Sequence, residues 1–362
     1  MGRMPIPSGW GERYRSTSIV LRRGCRSARS SAQGSARVIR SYPDLRGGRL
    51  AYGVLIVHYQ NQNRRGPTMR IGFIGQGAMG SRMAARLVAA GHDLVVYDRF
   101  REATRSLQQR GAAVAASAKQ LAAGVEIVFS SVTDDSALEQ VMFASDGVLA
   151  GVALGTIVID MSTVSPRMSR RLHESARAKG VAVLDAPVSG STPQAEQGQL
   201  VIFVGGEEDV YQKCQPILAV LGSKTLYLGP GGSGTTMKLC ANTLLGLGVQ
   251  ALAEAFALGE KGGLSRERLA AVLSETAVVS PSQKSKLENA RKDEYPAAFP
   301  LRLMFKDFGL IVETAMELSV PMPATAAAVQ VAAAEHARQM ADHSDEDFSV
   351  VVRAMERLAG VA

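Results

Sequence analysis

A lysine and an asparagine stand one helical turn apart in a long apolar segment of the chain. Residues 232–263 read GSGTTMKLCANTLLGLGVQALAEAFALGEKGG, which predicts a helix that is hydrophobic on nearly every side and lies in an interior. Burial lowers the pKa of an amine, and an amine that titrates near neutrality can act as a general acid or base. Lys238 is such a candidate, and Asn242 on the same face can hydrogen-bond a substrate oxygen or hold the lysine in place. The alternative is that Lys238 extends from the helix start to solvent.

A glycine-rich loop is the second candidate site. The segment GFIGQGAMGSRM has the pattern G-x-G-x-x-G at Gly75, Gly77 and Gly80, and it follows an apolar strand and opens a helix. These glycines allow a tight turn, close approach of the backbone to a pyrophosphate, and close packing of the helix on the strand. The N–H groups at the helix start attract the phosphates. We therefore predict a dinucleotide site, in which the intervening residues also take part: Gln76, Ala78 and Met79.

The end of the second predicted strand bears on the choice of cofactor. Asp98 ends that strand, and an acid at this place accepts hydrogen bonds from the adenine-ribose hydroxyls and repels a 2′-phosphate. Arg99 follows at once and could instead pair with the 2′-phosphate of NADP. The sequence favours NAD and leaves NADP open.

The elements that must position these residues fall into two groups. From Met69 to about residue 231, apolar strands alternate with helices, which is typical of a parallel sheet with helices on both faces. After Gly234 the segments are helical. The predicted fold class is α/β: a Rossmann-type doubly wound sheet domain at 69–231, followed by an all-α domain at 232–362 built on the long interdomain helix. Because ligands of such sheets bind beyond the carboxyl ends of the strands, we expect the active site in the interdomain cleft.

Residues 1–68 form a basic leader. They hold thirteen arginines and two acids, whereas the rest of the chain has a small excess of acids, so the net charge of +8 does not indicate nucleic-acid binding by the body. We expect the leader to be mostly disordered or not part of the native protein. Three interpretations are open: translated upstream sequence before a true start at Met69, an organelle-targeting segment, or a nucleic-acid-binding arm.

Composition disfavours several other classes of protein. The chain of 362 residues is 46% hydrophobic and 20% charged, as in soluble globular proteins. No apolar run free of charge reaches about 18 residues, which disfavours a transmembrane helix. The three cysteines and five histidines show no ligand spacing, so we predict no metal site, no disulfide framework and a cytoplasmic location.

Four separated motifs are similar to those of one enzyme family. They are GFIGQGAMG (72–80), DAPVSGSTPQAEQGQL (185–200), GSGTTMKLCANTLL (232–245) and FPLRLMFKDFGL (299–310). From Met69 onward the chain resembles the β-hydroxyacid dehydrogenase family, which is 6-phosphogluconate dehydrogenase-like and includes 3-hydroxyisobutyrate dehydrogenase, tartronate semialdehyde reductase and glyoxylate/succinic semialdehyde reductase. The stretches SGS (189–191) and YLGPGGSGTTMKL resemble the last of these branches, which usually prefers NADPH.

The resemblance implies roles for individual residues. Lys238 resembles the catalytic lysine and Asn242 the asparagine that contacts the substrate. Ser189 and Gly190, with Ser191 beside them, resemble the loop that binds the substrate carboxylate. The remaining matches are Val132, Thr133, Thr163 and Lys306 on the cofactor side, and Asp307 at the closed cleft with the substrate.

The implied activity is an NAD(P)-dependent oxidoreductase that interconverts a small β-hydroxyacid and its semialdehyde by hydride transfer, with Lys238 as general acid/base. The alternative in the family is an NADPH-dependent glyoxylate/succinic semialdehyde reductase. Two other hypotheses are a non-catalytic binding protein with a lapsed dehydrogenase fold, and an imine reductase. Retention of Lys238, Asn242 and the glycine loop disfavours the former, and Lys238 disfavours the latter. The expected partners are a small carboxylate substrate and further copies in a homodimer or homotetramer, with no nucleic acid and no membrane.

Overall fold

The computed structural model describes residues 36–38, 55–59 and 68–361. The strands are β1 (Ala36–Val38), β2 (Leu55–Tyr59), β3 (Arg70–Ile74), β4 (Asp93–Tyr97), β5 (Ala113–Val114), β6 (Ile127–Ser130), β7 (Ile157–Asp160), β8 (Ala182–Asp185), β9 (Val188–Ser189), β10 (Leu200–Gly206) and β11 (Gly222–Tyr227). The α-helices are α1 (Gly80–Ala89), α2 (Arg105–Gln108), α3 (Ala118–Ala122), α4 (Asp135–Phe143), α5 (Pro166–Arg177), α6 (Thr192–Gln197), α7 (Glu208–Leu221), α8 (Ser233–Lys261), α9 (Arg266–Ser274), α10 (Pro281–Lys292), α11 (Leu301–Glu317), α12 (Pro323–Asp342) and α13 (Val351–Ala359).

Six strands form a parallel sheet with the strand order of a Rossmann fold. Their spatial order is β5-β4-β3-β6-β7-β8, and each neighbouring pair is parallel. The order reverses between β3 and β6, so a crevice forms there at the carboxyl ends of the strands. Ile71, Phe73 and Phe129 point into one of the two apolar cores that cover the faces of the sheet. The predicted Rossmann-type sheet, followed by helices, is confirmed.

The sheet continues beyond β8 as a mixed sheet, which the sequence pattern did not predict. β10 is antiparallel to β8 and β9 and parallel to β11. The only helix between β8 and β10 is α6, whose six residues span about 9 Å and are too short to return the chain along the full sheet. β10 therefore runs in the opposite direction from β8.

Part of the leader lies in the sheet. β2 pairs antiparallel with β11, β1 pairs antiparallel with β2, and Val57 is buried. The expectation of a mostly disordered leader differs from the structure at these two strands, because the open edge of the sheet at β11 can pair with a further strand. The rest of that expectation concerns residues that lie outside the described ranges.

α8 joins the sheet to the helical part of the chain. Its first turn contacts the sheet, and its later turns pack against α11, α12 and α13 in a separate apolar core that includes Leu239, Val249 and Phe256. By length and composition alone this helix could cross a membrane, and 44% of its most apolar window is buried inside the protein. Asn242 and Gln250 are buried in it as well, which suits a core helix with polar partners.

Candidate active site

The two residues that α8 was predicted to offer lie one turn apart and differ in environment. Asn242 is buried, and its amide donates a 2.5 Å hydrogen bond to Oδ2 of Asp307 on α11. Lys238 is partly buried and has no hydrogen-bond acceptor within the described ranges. Burial lowers its pKa to about 8, with Lys306 acting in the same direction and Asp307 opposing. An amine with that pKa can accept or donate a proton near neutral pH.

α11 reaches α8 because a glycine removes the obstacle between them. Gly246 follows Asn242 by one turn, and a Cβ there would lie 2.5 Å from the Phe308 ring. The close approach brings Asp307, which is buried, against Asn242. The helical part of the chain thus contributes a carboxylate, an amide and an amine to one side of the cleft.

Lys306 links this group to the sheet domain. Its ammonium lies 2.7 Å from Oδ1 of Asp307 and donates a 2.8 Å hydrogen bond to the backbone carbonyl of Thr163, which follows β7. A second contact between the two parts of the chain joins Arg167 on α5 to Glu313 on α11 at 3.2 Å. These contacts close the cleft along α5 and α11, and they place the predicted cofactor residues Thr163 and Lys306 together.

The glycine loop fits the phosphates of a dinucleotide. Gly75 has φ +88°, and a Cβ on it would meet the Ser131 carbonyl oxygen at 2.1 Å. A Cβ on Gly80 would meet the Gly75 carbonyl oxygen at 2.0 Å, whereas one on Gly77 would meet nothing within 4 Å. The loop is therefore packed on its inner side and open at Gly77. In the described part of the chain, the N–H groups of Ala78 and Met79 have no acceptor, so they are available to an anion.

Asp98, the acid expected at the adenine ribose, also accepts a hydrogen bond from the glycine loop. Oδ2 of Asp98 accepts a 2.7 Å hydrogen bond from the N–H of Gln76, and Oδ1 accepts one of 2.8 Å from Phe100. An ionised carboxylate accepts about four hydrogen bonds, so Asp98 can still receive ribose hydroxyls. Arg99 is exposed, with its guanidinium 4.8 Å from the centre of the Phe100 ring. Asp98, which favours NAD, and Arg99, which favours NADP, thus both follow the end of β4.

The predicted carboxylate loop lies between β9 and α6. Gly190 has φ +140°, and a Cβ on it would lie 2.8 Å from Leu200. Ser189 is partly buried in β9, while Ser191 is the N-cap of α6 and its N–H donates to Gln194 Oε1 at 3.0 Å. The Ser191 hydroxyl pairs with the same oxygen. The structure therefore gives Ser191 a helix-capping contact, and Ser189 and Gly190 are the residues of this loop that remain for a substrate anion.

Two loops on the cofactor side share one buried carboxylate that the sequence analysis missed. Oδ1 of Asp160, at the end of β7, accepts hydrogen bonds from the hydroxyls of Ser130 and Ser162, both at 2.7 Å. The Ser162 hydroxyl in turn accepts the N–H of Val132 at 2.9 Å. Asp160 thereby joins the loop of Val132 and Thr133 to the loop of Ser162 and Thr163. Burial raises its pKa to about 6 despite these hydrogen bonds.

Asp185 on the neighbouring strand was quoted within a motif but given no role. It is in register with Asp160, it is buried, and its carboxylate accepts hydrogen bonds from the first turn of α8. Its place as the last residue of a buried strand was the available signal, because such positions face the crevice. Within the described ranges, no group of three or more His, Cys, Asp or Glu side chains is arranged to hold a metal ion.

Two family descriptions match almost all of this fold. Residues 70–229 match the NAD binding domain of 6-phosphogluconate dehydrogenase, and residues 232–355 match the NAD-binding region of NADP-dependent 3-hydroxyisobutyrate dehydrogenase. The chain is 35% identical over 296 residues to 2-(hydroxymethyl)glutarate dehydrogenase of Eubacterium barkeri, which covers 82% of this chain and 97% of that relative.

The chain belongs to the β-hydroxyacid dehydrogenase family. Glyoxylate/succinic semialdehyde reductase 1 of Arabidopsis thaliana is 35% identical over 288 residues, covering 80% of this dehydrogenase and 99% of that relative. A solved structure of Mycobacterium tuberculosis 3-hydroxyisobutyrate dehydrogenase with L-serine has a TM-score of 0.72 at 31% identity, covering 80% of this chain and 99% of that one. The dehydrogenase is accordingly an NAD(P)-dependent oxidoreductase that acts on CH–OH groups.

Proposed function

We propose that this dehydrogenase interconverts a small β-hydroxyacid and its semialdehyde, with Lys238 as the general acid/base. The observation that carries the proposal is the environment of Lys238, which is a partly buried amine with a pKa lowered to about 8 beside the closed cleft. An amine that merely extends to solvent would not be desolvated in this way. The two interdomain contacts of Lys306 and Arg167 support a cleft that can exclude water around the reacting groups.

In the oxidation direction, neutral Lys238 accepts the proton of the substrate hydroxyl. In the reduction direction, its ammonium donates a proton to the nascent alkoxide. The nicotinamide ring, when bound, supplies the acceptor or donor of the hydride. The protein's share of the reaction is to hold the substrate carbon in position and to move one proton at the Lys238 nitrogen.

We propose that the substrate is anchored through its carboxylate. Ser189 offers a hydroxyl and Gly190 a backbone N–H, and both donors suit an anion. Asn242 and Asp307 are held together by their 2.5 Å hydrogen bond, and they form the polar wall that faces the substrate from the helical side. The names of two relatives, 2-(hydroxymethyl)glutarate dehydrogenase and glyoxylate/succinic semialdehyde reductase 1, support a small carboxylate substrate.

The second candidate is an NADPH-dependent glyoxylate/succinic semialdehyde reductase. The loop SGS at 189–191, the exposed Arg99 at the end of β4 and the Arabidopsis relative favour it. Asp98 favours NAD instead, because its carboxylate would repel the 2′-phosphate of NADP. We favour NAD and a 3-hydroxyisobutyrate dehydrogenase-like activity.

One substrate panel tests both candidates. The purified protein is assayed with 3-hydroxyisobutyrate, glycerate, 4-hydroxybutyrate and L-serine for oxidation, and with glyoxylate and succinic semialdehyde for reduction, each with NAD(H) and NADP(H). The Lys238→Ala variant is measured beside it, and we expect turnover to fall by about 10²–10⁴. The binding of NADH, measured by fluorescence titration, is expected to remain. Turnover that survives in this variant contradicts the proposed chemistry, and no turnover with any pair in the parent protein supports the binding-protein hypothesis.

We also propose that the dehydrogenase is a homodimer or homotetramer. Several large apolar side chains of α8 are exposed along one face at helical spacing, and isolated chains seldom expose such a stripe. They are Met237, Leu244 and Leu258. Light scattering of the parent and of Leu244→Glu tests this proposal: a monomeric parent contradicts it, and dissociation of the variant supports it.

A further inference from the structure

The carboxylate of Asp185 connects the sheet to the helix that carries Lys238. Oδ1 accepts the N–H of Gly232 at 2.8 Å and lies 3.1 Å from Nε2 of His173 on α5. Oδ2 accepts the N–H of Thr235 at 2.8 Å and its hydroxyl at 3.1 Å. A buried residue of β8 therefore makes hydrogen bonds both to the residue before α8 and within the first turn of α8.

α8 depends on this carboxylate because it has no capping side chain of its own. Its N-cap is Gly232, with φ +88°, and no side-chain cap is formed there. The free N–H groups at a helix start need acceptors, and a carboxylate satisfies them while interacting favourably with the helix dipole. Asp185 is therefore an N-terminal cap that is supplied from the other domain.

The first turn of α8 lies directly on the backbone of the sheet. A Cβ on Gly234 would be 2.6 Å from the carbonyl oxygens of both Asp185 and Phe203. A Cβ on Gly205 would be 2.6 Å from Oδ1 of Asp185. A side chain at Gly205 or Gly234 would prevent this contact between α8 and the sheet. The start of α8 is therefore held both by hydrogen bonds and by close packing.

Lys238 follows Thr235 by three residues, about 4.5 Å along the helix axis. Any tilt or shift of the first turn therefore moves the Lys238 amine relative to the crevice where the cofactor is expected. The charged groups that shift the pKa of Lys238 are Asp307 and Lys306, so Asp185 would act through geometry and not through its charge.

We propose that Asp185 is a positioning residue for the reaction: by capping α8 from β8, it holds the Lys238 amine in place relative to the cofactor-binding sheet. The inference rests on the proposed role of Lys238. A displacement of about 1 Å at a catalytic group can lower turnover by about 10²-fold, so loss of the cap reduces kcat in an enzyme that still folds and binds its cofactor.

The first test is Asp185→Asn in the full-length protein, assayed with the best substrate of the panel. An amide keeps the size of the side chain but places an N–H₂ group against the donors of α8. We expect kcat to fall at least about tenfold, while the Kd for NADH stays within about twofold of the parent value and the pH midpoint of the reaction is unchanged. Asp160→Asn is the matched control, because Asp160 is the buried carboxylate in register with Asp185, and its carboxylate accepts hydrogen bonds from Ser130 and Ser162 on the cofactor side instead of from α8. Its main effect is expected on the KM for the cofactor.

The second test keeps the proposal falsifiable if Asp185→Asn does not fold. Thr235→Val removes the hydroxyl that donates to Oδ2 of Asp185 and keeps the backbone N–H that donates to the same oxygen. Thr235→Ser keeps both donors. We expect kcat to fall by about two- to tenfold in the valine variant and to recover in the serine variant. A merely structural role would lower stability in both tests without changing kcat of the folded enzyme.

The proposal is overturned by parent-like kcat in folded Asp185→Asn, or by parent-like kcat in Thr235→Val when the first variant does not fold. A moved pH midpoint in Asp185→Asn also overturns it, because the carboxylate would then act by charge. Either result, obtained while Lys238→Ala remains inactive, rejects the positioning role and leaves the proposed function intact. Turnover in Lys238→Ala is the separate outcome that rejects the proposed function itself.

Discussion

The amide nitrogen of Asn242 lies 2.5 Å from Oδ2 of Asp307, although the two residues are 65 positions apart in the chain. Asn242→Ala removes this donor and leaves the buried carboxylate of Asp307 with one hydrogen-bond partner fewer. We expect the free energy of unfolding to fall by about 1.5–3 kcal/mol, because hydrogen bonds to charged groups contribute about that much. Urea denaturation measures the change.

A neighbouring residue on α8 gives the matched control. Thr243 donates a local hydrogen bond of 2.9 Å to the carbonyl of Leu239 and contacts no charged group through it. Thr243→Val should change the free energy of unfolding by no more than about 0.5 kcal/mol. An equal loss in both variants would contradict a special role for the contact between Asn242 and Asp307.

The pH dependence of turnover should follow the titration of Lys238. Its pKa is lowered to about 8, mainly by burial. Oxidation requires the neutral amine, so kcat/KM for oxidation should rise as pH increases through about 8. Reduction requires the ammonium, so kcat/KM for reduction should fall over the same range. Initial rates from pH 6 to 10 in both directions check this prediction, and two profiles of the same direction would contradict it.

The neighbouring charges should shift this pH midpoint in opposite directions. Asp307 raises the pKa of Lys238 and Lys306 lowers it. Asp307→Asn should therefore move the midpoint to lower pH, and Lys306→Gln should move it to higher pH. The same rate profiles measure both shifts. Midpoints that move together would show that another group controls the titration.

Asp160 should make the folded protein less stable as pH rises from about 4 to 6. Burial raises its pKa from 3.8 to about 6, so in this window the folded protein holds a proton that the unfolded chain has lost. Stability from this group is then present at low pH and decreases by about 3 kcal/mol as the pH passes 6. Urea denaturation at pH 4, 5, 6 and 7 should show this decrease in the parent relative to Asp160→Asn. A similar difference in the surface variant Asp209→Asn would contradict the assignment to Asp160.

A buried ion pair in the helical domain should control stability without affecting the site. Nζ of Lys286 on α10 lies 2.7 Å from Oδ2 of Asp347, and both side chains are buried. Lys286→Met leaves the carboxylate without its counter-ion, so we expect the free energy of unfolding to fall by about 3–5 kcal/mol. Calorimetry measures the loss, and NADH titration of the folded variant should give a parent-like Kd. The exposed Lys284→Met is the control, and a comparable loss in it would contradict the prediction.

The sequence determined the features that depend on short-range patterns. The alternation of apolar strands and helices predicted the Rossmann-type sheet, because buried parallel strands need continuous apolar runs. The spacing of Gly75, Gly77 and Gly80 predicted a tight turn and an open phosphate loop, since Gly75 has a left-handed backbone that favours glycine and Gly80 packs against the Gly75 carbonyl. The apolar segment around Lys238 and Asn242 predicted a core helix with two polar residues on one face, because i and i+4 side chains share a face.

The tertiary structure decided the features that depend on contacts between distant segments. The pairing of β2 with β11 depends on which sheet edge is open, and no local pattern specifies that. The meeting of Asn242 with Asp307, and of Lys306 with Thr163, depends on how α11 packs against α8 and the sheet. The lowered pKa of Lys238 and the capping of α8 by Asp185 likewise exist only in the folded chain, because desolvation and long-range hydrogen bonds are properties of packed structure and not of sequence neighbours.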